Sequence, residues 1–108
     1  MNLKDLLIDR IESLGPIHFS NSFGWICIYT GKNLFGGYKI VDDNILLLFL
    51  IMSPEGFVNS LNENFEKFDF GKTWAQTEIA GDDDLPRIFP FLQDAFDYVQ
   101  KRRKLKNI

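Results

Sequence analysis

The sequence predicts an α+β domain: a single antiparallel sheet of four to five strands with N- and C-terminal helices packed on one face. Three observations carry this expectation. Residues 23–52 (FGWICIYTGKNLFGGYKIVDDNILLLFLIM) read as three strands joined by two tight turns and hold most of the strongly apolar residues. Residues 2–14 and the stretch from 82 to about 104 carry apolar stripes at helical spacing. A chain of 108 residues is long enough for one hydrophobic core and too short for two, so 1–108 reads as a single domain.

The N-terminal helix, within 1–15, sets Leu3, Leu6, Leu7, Ile11 and Leu14 on one side and Lys4, Asp5, Asp9 and Glu12 on the other. Asn2 is placed to cap it, Asp5 meets the positive end of its dipole, and Gly15-Pro16 stops it. The sheet occupies 17–80. Residues 17–20 form a short edge strand or an extended link, Asn21-Ser22 punctuates the chain, and the first central strand is expected over 23–29. In Thr30-Gly31-Lys32-Asn33, Gly31 supplies the positive φ of a type II′ hairpin turn. With Gly31-Lys32 as the loop, Tyr29 faces Leu34, Cys27 faces Gly36 and Trp25 faces Tyr38, all on one sheet face; Ile26, Ile28, Phe35 and Gly37 take the other.

The second strand, 34–41, turns at Asp42-Asp43-Asn44. The third, 45–51, is apolar at every position, so its pattern leaves the register open. The same unbroken run implies that both of its faces are covered, by the 53–72 segment, by a second subunit or by a ligand. Ser53-Pro54 suits a helix start, with Phe57, Val58 and Leu61 in a short turn. Phe65, Phe68 and Phe70 are expected to tie this irregular 53–72 insertion onto the sheet. A fourth strand, 72–80, alternates Thr73, Ala75, Thr77 and Ile79 with Trp74, Gln76 and Glu78. The C-terminal helix, 82–104, has an apolar stripe of Ile88, Leu92, Ala95, Phe96 and Val99. Pro86 is tolerable in a first turn; Pro90 is expected to kink the helix, or to delay its main body behind a separate turn.

Composition narrows the function classes. The longest apolar run is far shorter than the roughly 20 residues that span a bilayer, and no secretory signal opens the chain, so a cytoplasmic location is the expectation. One cysteine makes no internal disulfide; no Cys/His spacing suggests a metal, and no motif calls for a cofactor. Net charge is −3, unevenly spread. The basic tail at 101–108 (KRRKLKNI) holds five of the twelve basic residues, leaving seven against fifteen acids, a net of −8. An acidic body disfavours a broad nucleic-acid surface, which leaves the tail alone for that role.

The element order ends with a strand opening Lys72-Thr73-Trp74, the acidic run Asp82-Asp83-Asp84 and a helix carrying Ala95-Phe96. It resembles a family of uncharacterised prokaryotic domains, sometimes labelled a predicted transport protein and related to the YdhG-like domains. The family's Phe-Ala/Gly pair is matched by Phe35-Gly36, its Trp and polar strand by residues 74–78, and its Ala-Tyr by Ala95-Phe96. The likeness covers roughly residues 17–100; Pro86 and Pro90 depart from it. It implies a fold and brings no activity with it.

Candidate ligand-binding residues are Trp25, Cys27, Gly36, Gly37, Tyr38, Trp74, Gln76 and Glu78. Glycines inside a strand mark a bulge or a close approach. Gly36-Gly37 therefore reads as the floor of an aromatic site under Trp25, Tyr38 and Cys27, or as a bend or room for Trp25. Cys27 as nucleophile with His18 as base lacks a basic environment and an orienting third group. Gln76 and Glu78 share a face with Trp74, as pocket contacts or as an ordinary solvent face. Asp82-Asp83-Asp84 lacks the ligand spacing of a calcium loop and suits helix capping. No catalytic constellation emerges. The reading is a non-catalytic binding or interaction module, homodimeric. The alternative is a small-molecule receptor or enzyme with an aromatic pocket and Glu78 as its acid–base group, and nucleic-acid binding through the tail ranks last.

Overall fold

A computed structural model describes the backbone of residues 2–106 and the side chains of residues 2–101, so the side chains of the basic run beyond Lys101 lie outside the described residues. The elements in chain order are α1 (Leu3–Glu12), β1 (His18–Ser22), β2 (Trp25–Thr30), β3 (Asn33–Asp42) and β4 (Ile45–Ile51), followed by α2 (Pro54–Ser60), β5 (Glu66–Lys67), β6 (Trp74–Ile79) and α3 (Leu85–Lys106). The strands make one open antiparallel sheet in the order β1-β2-β3-β4-β6-β5. Six strands replace the expected four to five: residues 18–22 are a true edge strand, and a two-residue strand, β5, forms inside the irregular segment.

The helices form where their caps and stripes place them. Asn2 Oδ1 accepts the Asp5 N–H at 2.9 Å, and α1 buries Leu3, Leu7 and Ile11. In α3 all five residues of the expected stripe are buried. A 3₁₀ turn, Asp82–Asp84, precedes α3, and Asp84 Oδ2 accepts the Ala80 N–H at 2.8 Å. The main helix does not wait for Pro90; it starts at Leu85 and contains that proline. The N–H that Pro90 lacks would have bonded a carbonyl in the first turn, and its ring lies on the exposed side of the helix.

Two turns decide what faces what. Phe23 belongs to no strand: with Gly24 it forms the β1–β2 hairpin loop, at φ +53° and +81°, the pair of positive values of a type I′ turn. Gly31 at φ +60° and the Thr30↔Asn33 pair make Gly31-Lys32 the β2–β3 loop, as expected. Beyond it, however, Phe35 is an extra residue. Leu34 pairs with Tyr29, but Gly36 pairs with Ile28, Gly37 with Cys27 and Tyr38 with Ile26. This bulge moves Gly36 and Tyr38 from the Trp25–Cys27–Tyr29 face to the helix face and brings Gly37 the other way. Asp43-Asn44 closes the β3–β4 hairpin, with the Asn44 N–H on Asp42 Oδ1 at 2.9 Å.

The helix face is the core. Ile28, Phe35, Tyr38, Leu46, Leu48, Leu50, Ala75 and Ile79 of the strands meet Leu7 and Ile11 of α1 and Ile88, Leu92 and Ala95 of α3. Phe35 and Phe96 meet edge to face, 5.8 Å apart. α2 adds to this side: Asp94 of α3 accepts the Ser53 N–H at 2.9 Å and the Ser53 hydroxyl at 2.8 Å, and Ser53 Oγ caps α2 through the Gly56 N–H. Arg87 fastens the far edge. It donates to the Glu63 and Glu78 carbonyls and to Thr77 Oγ1, and pairs with Asp84 at 3.5 Å. No helix among the described residues is long and apolar enough to cross a membrane.

Candidate aromatic site

The face away from the helices carries the site. Pairing sets Ser20, Cys27, Gly37, Phe49 and Gln76 in one row across the sheet; one step closer to the β2–β3 turn, His18, Tyr29 and Leu34 line up on one side of it and Ile51 with Trp74 on the other. β4 is apolar throughout because it is buried on both sides: Leu46, Leu48 and Leu50 under the helices, Phe49 and Ile51 here. What covers Phe49 is the chain's own aromatic side chains. Trp74 and Phe68 stack on it at 5.5 and 5.1 Å, within 12° and 19° of parallel, and Trp25 meets it edge-on at 5.1 Å and 68°. Phe70 extends the set against Phe68 at 4.9 Å.

Glycines make this stacking possible. A Cβ on Gly37 would stand 2.7 Å from Cε1 and 2.9 Å from Cζ of Phe49, so the glycine gives that ring its place over β3. A Cβ on Gly71 would collide with the Trp74 indole. Gly36 works from the opposite side, where a Cβ would sit 2.7 Å from the Phe49 carbonyl oxygen and 3.0 Å from Leu50 Cδ2. The pair is therefore a packing device; the ring it accommodates is Phe49, where the sequence suggested Trp25.

Beside this aromatic set runs an open trough of about 460 Å³. It is lined by Ser22, Phe23, Trp25, Cys27, Tyr29 and Leu34 from the β1–β3 end and by Phe49, Phe68, Phe70 and Trp74 from the other. Phe23 and Phe70 stand out at its rim, 99% and 75% exposed. Phe23 is unusual twice over, being fully exposed and holding a left-handed backbone that a bulky L-residue rarely adopts. Lys39 Nζ lies 5.3 Å from the centre of the Trp25 ring.

Of the eight candidate residues, Trp25, Cys27 and Trp74 line the trough, and Gly37 lies beneath Phe49. Gln76 and Glu78 share the face but lie outside the lining, and Glu78 is exposed. Gly36 and Tyr38 are on the helix face, displaced by the bulge at Phe35. Tyr38 is 4% exposed there, and burial first, then the Asp5 carboxylate, push its phenol pKa up. Burial also pushes the Cys27 thiol pKa up, which keeps it protonated near neutral pH and weak as a nucleophile. His18 stacks on Tyr29, 5.1 Å apart and 6° from parallel, and no described hydrogen bond joins it to Cys27. Among the described residues no three His, Cys, Asp or Glu side chains gather to hold a metal ion.

The sequence reading missed Phe49, Phe68, Phe70 and Phe23 as site residues. Phe68 and Phe70 were expected on the sheet, but the sequence left open which face each aromatic takes, and Phe65 goes to the helix side against Phe91. Phe49 was hidden by the uniform apolarity of β4. Comparison with family models and with curated proteins finds no match to this chain.

Proposed function

We propose that the chain is a non-catalytic binding module and that the trough is its site, taking a small molecule with an apolar ring. The observation that carries this is the combination of a preformed aromatic trough of about 460 Å³ with the near-complete burial of Phe49 and Ile51 beneath it. The chain's own rings already cover β4, so the face does not need a second subunit to dry it. What stays open has the size of a small-molecule site, about 300–1,000 Å³. A protonated Cys27, and a Glu78 outside the lining, support binding without chemistry.

The test is a fluorescence titration with the neutral probe N-phenylnaphthylamine. Wild type is expected to give a saturable, blue-shifted signal, and Phe70→Ser to weaken it several-fold at an unchanged melting temperature. A signal that never saturates, or one indifferent to Phe70→Ser, contradicts the reading.

A homodimer is the second reading, favoured by the exposed Phe23 and Phe70 beside the trough. Sedimentation across a concentration series checks it; a monomer throughout removes it. Kinship with the YdhG-like domains belongs to the same proposal, supported by the helix–meander–helix element order. So does a cytoplasmic setting, which the single free cysteine suits.

A further inference from the structure

Resting on the trough as a ring-binding site, we propose that its ligand is a small aromatic anion, a planar ring system bearing one carboxylate or sulfonate. The planar body follows from the rings already there. Phe49, Phe68 and Trp74 lie within 12° to 23° of one another, and Trp25 crosses Phe49 and Phe68 at 68° and 65°, so a flat ring entering the trough continues the parallel set against an edge-on wall.

The charge follows from what lines and borders the trough. No lining residue carries a carboxylate. Its polar groups are hydroxyls on Ser22 and Tyr29, the indole N–H groups of Trp25 and Trp74, and the Cys27 thiol. All of these can donate a hydrogen bond, and none offers a countercharge to a cation. Lys39 supplies positive charge at the Phe23 end. Its Nζ lies 5.3 Å from the centre of the Trp25 ring and 3.9 Å from where a Cβ on Gly24 would stand, beside Phe23.

That ammonium has no carboxylate partner among the described ion pairs, where Arg87 pairs with Asp84. Leu47 stands opposite Lys39 on β4, and Glu78 stands opposite Leu47 on β6. The Glu78 backbone is thus two strand spacings, about 10 Å, from that of Lys39. Asp69, between Phe68 and Phe70, is exposed and outside the lining. A lysine resting on an aromatic ring, with no carboxylate at ion-pair distance among the described residues, repels a second cation and favours an anion within a Debye length.

The experiment pairs two probes of nearly one shape, anionic anilinonaphthalene sulfonate and neutral N-phenylnaphthylamine, on wild type, Lys39→Gln and Lys39→Glu. Circular dichroism melts check that each variant folds. Lys39→Gln is expected to weaken the anionic probe about three- to ten-fold, and Lys39→Glu more, while the neutral probe is unchanged. Raising the salt concentration should erode the anionic affinity of wild type and leave that of Lys39→Gln nearly flat. If the two variants move both probes alike, or neither, the anion preference is wrong while the ring site stands. If wild type binds neither probe saturably, the ring site itself fails and this inference goes with it.

Discussion

The two faces of the sheet are both apolar at β4, yet they are closed in different ways. On one, helices bring in residues such as Leu7, Ile11, Ile88 and Leu92, each at most 1% exposed, and the opening there is a smaller hollow of about 290 Å³ at the edge, beside the start of α1 and Gly81. On the other no helix arrives. Rings from β2, β4, β6 and the 68–70 segment cover the strand by leaning on one another, and beside them a trough stays open. A helix excludes ligands because its backbone fills the second layer. A single layer of aromatic side chains keeps the strand dry and still leaves a trough.

Substitutions test this contrast, and the largest effect is expected on the helix face. Phe35→Ala removes a fully buried ring at the bulge, against Phe96, and should cost about 3–5 kcal/mol in chemical denaturation. A loss below about 1 kcal/mol would mean that the core is not closed there. Gly37→Val drives branched methyls into the Phe49 ring and should cost about 1–3 kcal/mol, with loss of probe binding as the stacked set is pushed apart.

Phe23→Asn goes the other way. It replaces a ring at φ +53° by a residue that tolerates the left-handed region and creates the Asn-Gly pair favoured in type I′ turns. Stability should rise by roughly 1 kcal/mol while probe affinity falls. If stability and binding fall together, Phe23 is a structural residue and its exposure is incidental. Phe70→Ser should change stability by less than about 0.5 kcal/mol, since that side chain is mostly in solvent.

Much of this architecture was legible in the residues. The stripes of α1 and α3, the Gly31 turn and the double burial of β4 follow from spacing and turn chemistry alone, and so does the common face of Trp25, Cys27 and Tyr29. The misplacement of Gly36 and Tyr38 has one cause. A single bulged residue, Phe35, reverses the faces of the residues that follow it on β3, Gly36 to Tyr38 among them; the adjacent Gly36-Gly37 pair is compatible with a bulge or a close approach and does not say which residue is the extra one. Phe23 was misread because an aromatic before Gly24-Trp25 looks like strand, whereas the hairpin needs two positive-φ residues and uses it as one of them. The aromatic cover over Phe49 is a tertiary property; the sequence shows the rings, and only the register says which of them meet.

The most direct measurement of whether the helix-free face is an open site is the alkylation rate of Cys27, the only cysteine, which lines the trough. Because burial raises its pKa, the rate with iodoacetamide should climb at higher pH than for a small thiol, since the reactive thiolate forms later. At fixed pH, saturating N-phenylnaphthylamine should slow the reaction in wild type and slow it less in Phe70→Ser. An alkylation rate that the probe leaves unchanged, at concentrations where its fluorescence has saturated, would place binding elsewhere and contradict the account.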